Sequence, residues 1–188
     1  MASIRPAYKT DAAHVAALIE QASFAIAQTL TGSTYEQEIL AVLAQFFQAE
    51  ENRLSYHNAL VAEEYEQVVG VIIIYHGRDA IRLDRPIIER LQRLLNNPSI
   101  SLDKEADEDE FYIDTLSVST QYAGRGIGTA LIQVAEQRAR QLQYNKIALN
   151  VDEDNERAHR LYNHLGYQED KSISLYGHPL YHLVKYLV

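Results

Sequence analysis

Cysteine is absent from the chain. Disulfides, a cysteine nucleophile and thiolate metal sites are thereby excluded, and a reducing, cytoplasmic setting is expected. Long apolar runs are absent too. Nowhere do about 18 apolar residues follow one another, so neither a membrane span nor a membrane partner is expected. The opening residues, MASIRPAYKTDAAH, carry no apolar stretch of the kind a secretory signal needs. Positive charge is in short supply: 17 Lys and Arg stand against 26 Asp and Glu, a formal net charge of −9. That argues against a general nucleic-acid binder, which depends on cationic contacts to phosphate. It mildly favours a cationic substrate. The seven histidines form no H-E-x-x-H. His178 and His182 are separated by Pro179 and cannot share a helix face, and His159 reads as a surface residue, so no metal site is expected.

What is present suits one domain, residues 1–188. Residues 3–8 form a short first strand that Pro6 confines to an edge or an end. Thr10 caps a helix over residues 11–23, with Val15, Leu18 and Ile19 inward and Gly32 as the breaker. Thr34 with Gln37, or Ser33 with Glu36, makes a capping box for a second helix that buries Ile39, Leu40, Leu43, Phe46 and Phe47. Residues 58–63 and 67–75 read as a hairpin around a polar turn at 64–66. In the long segment 77–110, Asp84 caps a helix with Pro86 in its first turn and Ile87, Leu91, Leu94 and Leu95 on one face. An acidic run follows, Asp103, Glu105, Asp107, Glu108, Asp109 and Glu110. It reads either as a solvated loop or as a rim that attracts a polyamine or another cationic acceptor.

The stretch that carries chemistry is residues 114–140, DTLSVSTQYAGRGIGTALIQVAEQRAR. A strand over 111–118 runs into a loop with Gly124, Gly126 and Gly128, and the loop into an amphipathic helix that buries Ile127, Leu131, Val134 and Ala135. Glycines allow positive φ and close approach of a ligand. A helix N-terminus beyond them offers unpaired N–H groups and a favourable dipole to an anion, with Arg125 adding charge. A dinucleotide fingerprint would need glycine where Thr129 stands, and a phosphate-binding P-loop would need a lysine after the glycines. A glycine turn that only packs helix on strand is the plain alternative. A further strand at 146–151 completes a β-loop-α-β unit, which implies two parallel strands. Asp154 or Asn155 caps a helix over 156–165 closed by Gly166. Strands at 167–175 and 180–188 flank a turn at Gly177, His178 and Pro179. The whole is an α/β (α+β) fold, a mixed sheet with helices on both faces.

The string Gln121-Tyr122-Ala123-Gly124-Arg125-Gly126, extended by Ile127 and Gly128, resembles motif A of the GNAT superfamily of N-acetyltransferases, Q/R-x-x-G-x-G/A. Asn155, Ala158, Leu161, Tyr162, Gly166 and Tyr167 resemble its motif B. The order of elements is similar along most of the chain, with 77–110 the least matched. The resemblance implies acetyl-CoA as cosubstrate, transfer to a primary amine in a ternary complex, and central parallel strands that splay apart. It implies that the backbone of residues 121–129 (Gln121, Gly124, Arg125, Gly126, Ile127, Gly128 and Thr129) binds the pyrophosphate. By the same resemblance the backbone of Leu116 and Val118 pairs with the pantetheine, and Asn155 and Ala158 help to hold it. Tyr162 is then the acid for the departing thiolate, or else a core aromatic. Asn155 is equally a plain helix cap.

An amine with a pKa near 10 must lose a proton before it attacks a thioester, and the tetrahedral oxyanion needs a positioned N–H, placed near Val118. Asp114, a carboxylate inside an apolar strand, is the candidate base, or a structural acid that binds a backbone N–H or a nearby basic residue. Glu63 and Glu64 are weaker candidates. The acceptor stays open among a small molecule, a peptide N-terminus and a lysine, and a homodimer stays open too. The alternative function is a non-catalytic acyl-CoA sensor or interaction module. A nucleotide-binding oxidoreductase comes third.

Overall fold

The computed structural model describes residues 2–187. Seven strands, β1 (Ser3–Pro6), β2 (Ala59–Glu64), β3 (Gln67–His76), β4 (Phe111–Val118), β5 (Lys146–Asp152), β6 (Gln168–Leu175) and β7 (His178–Tyr186), form one sheet in the order β1-β2-β3-β4-β5-β7-β6. Only β4 and β5 run parallel; every other neighbour is antiparallel. The helices are α1 (Ala12–Ala22), α2 (Phe24–Thr31), α3 (Glu36–Gln48), α4 (Ala80–Leu94), α5 (Ile127–Gln141) and α6 (Glu156–His164). Val188, the expected end of the last strand, lies outside the described residues. Among the described residues no helix is long and apolar enough to cross a membrane.

Strand β3 shows why both faces are covered. Its buried run alternates, Val71 and Ile73 into the cluster of α1 and α3, Ile72 and Ile74 into the cluster under α5. A side-chain period of two divides a continuous apolar run between two layers of helix. The crossover from β4 to β5 is α5, as a parallel pair requires.

Two irregularities in β4 place the site. Against β3, Ile73 pairs with Thr115 and Ile74 with Ile113, so Asp114 is an extra residue without a partner. Such a bulge bends a strand and sets two consecutive side chains on one face. Asp114 and Thr115 both line the same cavity, and the Thr115 hydroxyl donates to Asp114 Oδ1 at 2.9 Å. Against β5, pairing runs from Phe111–Ile147 to Ile113–Leu149 and stops there. The sheet therefore opens between β4 and β5 from the bulge onward.

Several local expectations change. Residues 24–31 form a separate helix, because Ser23 is extended (φ −158°) and its hydroxyl accepts from the Ile26 N–H. Neither capping box forms: α3 begins at Glu36 with Tyr35 at its cap, so pairs based on Ser33 or Thr34 fall one or two residues too early. Helix α4 begins at Ala80, so Asp84 is not a cap and Pro86 lies inside the helix. The acidic run is not uniformly solvated, since Glu105 and Glu110 are buried while Asp103, Glu108 and Asp109 stay exposed.

Candidate active site

The loop after β4 leaves a row of backbone N–H groups unpaired: among the described residues, no hydrogen bond engages those of residues 124–129, and the first such bond of α5 is Ala130 N–H to Gly126 O. A groove of about 570 Å³ is lined by Gly124, Gly126, Ile127, Gly128 and Thr129 on one side and by α6 on the other. Gly124 and Gly126 hold φ of +77° and +78°, and a Cβ at either would project into open space. Arg125 does not line the groove. It is half exposed, stacks on Tyr122 at 4.8 Å and approaches Glu64 at 3.7 Å. The cation that does line it is Arg157. Gly126→Val combines a side chain in the groove with a backbone strain of roughly 1–3 kcal/mol. It should weaken acetyl-CoA binding by about tenfold or more in a calorimetric titration. Unchanged affinity would place the anion elsewhere.

At the mouth of the sheet opening, Leu116, Val118, Asn155, Ala158 and Tyr162 come together on the groove wall. The Val118 carbonyl accepts from Gln21 Nε2 at 3.0 Å, which ties α1 to the end of β4. A carbonyl has a second lone pair, so this bond does not preclude another. Asn155 caps α6, its Oδ1 accepting from the Ala158 N–H at 3.1 Å. That bond fixes the amide orientation and leaves Nδ2 without a partner among the described residues, so the cap and a ligand-binding role are compatible. Tyr162 is 8% exposed and packs edge-on to Tyr167 at 5.7 Å. Its hydroxyl makes no hydrogen bond among the described residues, and burial alone pushes it up to about 12.

Tyr162, Asn155, Ala158 and Leu116 also line a second cavity, of about 180 Å³, on the far side of the opening. Its apolar wall comes from Ile26, Ala27 and Leu30 of α2. Its floor is Arg53 with a ring of carboxylates. Arg53 Nε and Nη2 both lie 2.6 Å from Asp114 Oδ2, Nη2 lies 2.6 Å from Glu105 Oε2, and Nη1 is 3.4 Å from Asp84 Oδ1. The Tyr75 hydroxyl donates to Asp114 at 2.9 Å; Tyr112 and Tyr176 donate to Glu105 at 3.2 and 3.3 Å. Burial works against the Arg53 charge, but Asp114 and Glu105 more than compensate and raise its pKa well above the ordinary value. Burial raises Tyr75 and Tyr112, so both remain protonated donors. Behind the ring, Asn150 Nδ2 donates to the Tyr112 hydroxyl and the Glu105 carbonyl, and its Oδ1 meets His182 Nδ1.

Three carboxylates around one guanidinium leave negative charge in excess, and Asp84 records it. Burial raises its carboxyl to about 6 against the opposing pull of Arg53. A carboxyl whose folded pKa exceeds its unfolded value holds its proton more tightly when folded. Its contribution to stability is therefore full below the ordinary value of 3.8 and is lost as the pH rises to about 6. Asp84→Asn mimics the neutral form. Calorimetry should show a higher Tm than wild type near pH 8, by about 2–4 °C per kcal/mol relieved, and little change near pH 4. Equal shifts at both pH values would remove the Asp84 charge from the balance.

The other candidates lie apart. Neither Glu63 nor Glu64 lines the 180 Å³ cavity, and Glu63 accepts from Arg5 at 2.6 Å. His159 lies partly exposed on α6, packed edge-on to Tyr181 at 5.2 Å. Asp107, Asp170 and His182 place ligand atoms within 4.8 Å of one another. Both His182 ring nitrogens are engaged, by Asn150 and Glu110, and Asp107 is paired with Lys171. Sequence reasoning missed Arg53, Gln21 and Arg157, and it placed Glu105 only in an acidic run, as solvated loop or acceptor-attracting rim, not in a buried ring. The one available signal was Asp114 itself, since a carboxylate in an apolar strand demands a buried cation.

A family model described as the acetyltransferase (GNAT) family matches residues 24–167. Among solved structures, the chain is similar to an N-acetyltransferase from Staphylococcus aureus Mu50, with 28% identity, 97% of this chain and 100% of that one covered, and a TM-score of 0.82. A second, described as an acetyltransferase, is 26% identical over 99% of this chain and 100% of that one, with a TM-score of 0.79. The PaiA N-acetyltransferase of Thermoplasma acidophilum, solved with coenzyme A, is 13% identical over 99% of both chains with a TM-score of 0.61, a likeness of fold alone. No curated protein sequence matches the chain.

Proposed function

The chain belongs to the GNAT family of acetyltransferases, an acetyl-CoA-dependent family, and we propose that it moves the acetyl group to a primary amine by direct attack in a ternary complex. One observation carries this reading: the unpartnered Tyr162 hydroxyl stands where the groove lined by free N–H groups meets a cavity floored by carboxylates. The pyrophosphate of acetyl-CoA lies on the N–H groups of residues 124–129. The pantetheine follows Leu116 and Val118 into the sheet opening, where Asn155 Nδ2 can reach it, and the amine approaches from the carboxylate side.

The amine first gives up a proton. Asp114 is the nearest candidate by topology, but Arg53 and Tyr75 already occupy its Oδ2. The proton is better assigned to the carboxylate set as a coupled unit, with Asp114 and Glu105 facing the cavity and Asp84 protonating near 6. The lone pair then attacks the thioester carbonyl and forms the C–N bond. The oxyanion is met by an N–H near Val118 and collapses, the C–S bond breaks, Tyr162 supplies a proton to the departing sulfur, and the surplus proton on the attacking nitrogen returns to the Tyr162 oxygen. Much of the rate comes from holding the two substrates together. The absence of cysteine removes thiol-mediated transfer and suits a cytoplasmic setting.

Titration with acetyl-CoA, followed by thiol release with a panel of primary amines, tests the reading. Tight binding with amine-dependent release is expected. Binding with no release for any amine would favour an acyl-CoA sensor.

A further inference from the structure

We propose that the acceptor is a slender aliphatic diamine: one amine nitrogen reaches the thioester past Tyr162, and the second, as an ammonium, is held at the cavity mouth by Asp152, Glu153 and Asp154. This rests on the acetyltransferase reading and narrows its substrate class.

The argument begins with charge. Among the described residues Arg53 is the only lysine or arginine lining the inner cavity, and its donors are taken by Asp84, Glu105 and Asp114. The cavity adjoins an outer basin of about 410 Å³, with which it shares Ser23, Ile26, Asp152 and Leu180. That basin carries Asp152, Glu153 and Asp154 and, among the described residues, no lysine or arginine. All three acids are exposed, and among the described residues none is in an ion pair. A ligand entering here therefore passes carboxylates at the mouth and meets carboxylates again at the floor. A carboxylate-bearing acceptor would be repelled at both.

Shape agrees with charge. Between the two acidic ends the walls are Ile26, Ala27, Leu30 and Leu180, which suit methylene groups. The inner cavity, at about 180 Å³, is below the 300–1,000 Å³ usual for drug-sized ligands. Tyr162 closes the inner end, 8% exposed and with its hydroxyl unpartnered, so a polar atom is aimed at the point where the reacting nitrogen would arrive.

The test compares thiol release with 1,4-diaminobutane, n-butylamine and 4-aminobutanoate at saturating acetyl-CoA. The second ammonium should raise kcat/KM about tenfold over the monoamine, and 4-aminobutanoate should be poorest. The preference should shrink with added salt, because the mouth acids are exposed and screened. In the variant Asp152→Asn, Glu153→Gln, Asp154→Asn, the ratio of diamine to monoamine should fall toward one. All three substitutions are on the surface, and a thermal melt checks folding. Equal use of diamine and monoamine by the wild type, or a preference that survives the triple variant, overturns the proposal. So does 4-aminobutanoate as the best acceptor. In those cases thiol release leaves the acetyltransferase reading standing. Failure of acetyl-CoA to bind at all would overturn that reading and this one together.

Discussion

Arg53→Met is expected to lower the unfolding free energy by about 3–5 kcal/mol near pH 8. The guanidinium is 2% exposed and is the shared partner of Asp84, Glu105 and Asp114. Removing it strands charged groups away from water. A loss of this size is a large part of the roughly 5–15 kcal/mol by which domains are stable. The cost should be smaller near pH 5, where the orphaned carboxyls can take up protons instead of remaining charged. Arg53→Lys should fall between, since it keeps the charge but not the planar fork that reaches several acceptors. Denaturant unfolding at the two pH values decides the matter. A loss under about 1 kcal/mol at both would mean that the ring does not depend on Arg53.

Tyr162→Phe is expected to reduce kcat by about 100-fold or more, with acetyl-CoA affinity held within about threefold. Because burial pushes the hydroxyl up to about 12, it is protonated throughout an ordinary assay. The loss should therefore be the same from about pH 6 to pH 9. Stability gives an independent readout. The hydroxyl has no partner to lose, and deleting an unsatisfied buried polar group is neutral or favourable. The variant should thus melt no lower than wild type while turning over far more slowly. Undiminished turnover would remove Tyr162 from the mechanism, and a lower Tm would make it a packing residue.

What the sequence made plain was whatever local pattern determines. Strand β4 stands at its expected residues and helix α5 follows the glycine loop as expected, because a β-rich run, a glycine loop and a 3.6-residue apolar repeat are each written in adjacent residues. The seat of Tyr162 beside Asn155 follows from one short helix. The carboxylate ring was not legible in that way. Arg53 follows α3 in a loop, Asp84 lies mid-helix, Glu105 in an acidic run and Asp114 in a strand. Their meeting depends on packing four distant segments together. The run itself was deceptive, because like charges usually stay in water, yet Glu105 found a buried partner. The break at Ser23 was hidden for a different reason. It rests on one extended residue inside a continuous apolar pattern.

The extra residue in β4 also limits how this sheet could be improved. Deleting Asp114 would restore the pleat without turning any neighbour to the other face, and would let β4 and β5 zip on beyond Ile113 and Leu149. The repaired sheet would gain backbone hydrogen bonds and lose a buried carboxylate, so a designer optimising regularity alone would choose it. The same repair closes the opening between β4 and β5, where the proposed transfer brings the two substrates together. On that proposal the flaw in the weave is the doorway, and a sturdier version of the sheet would be an inert one.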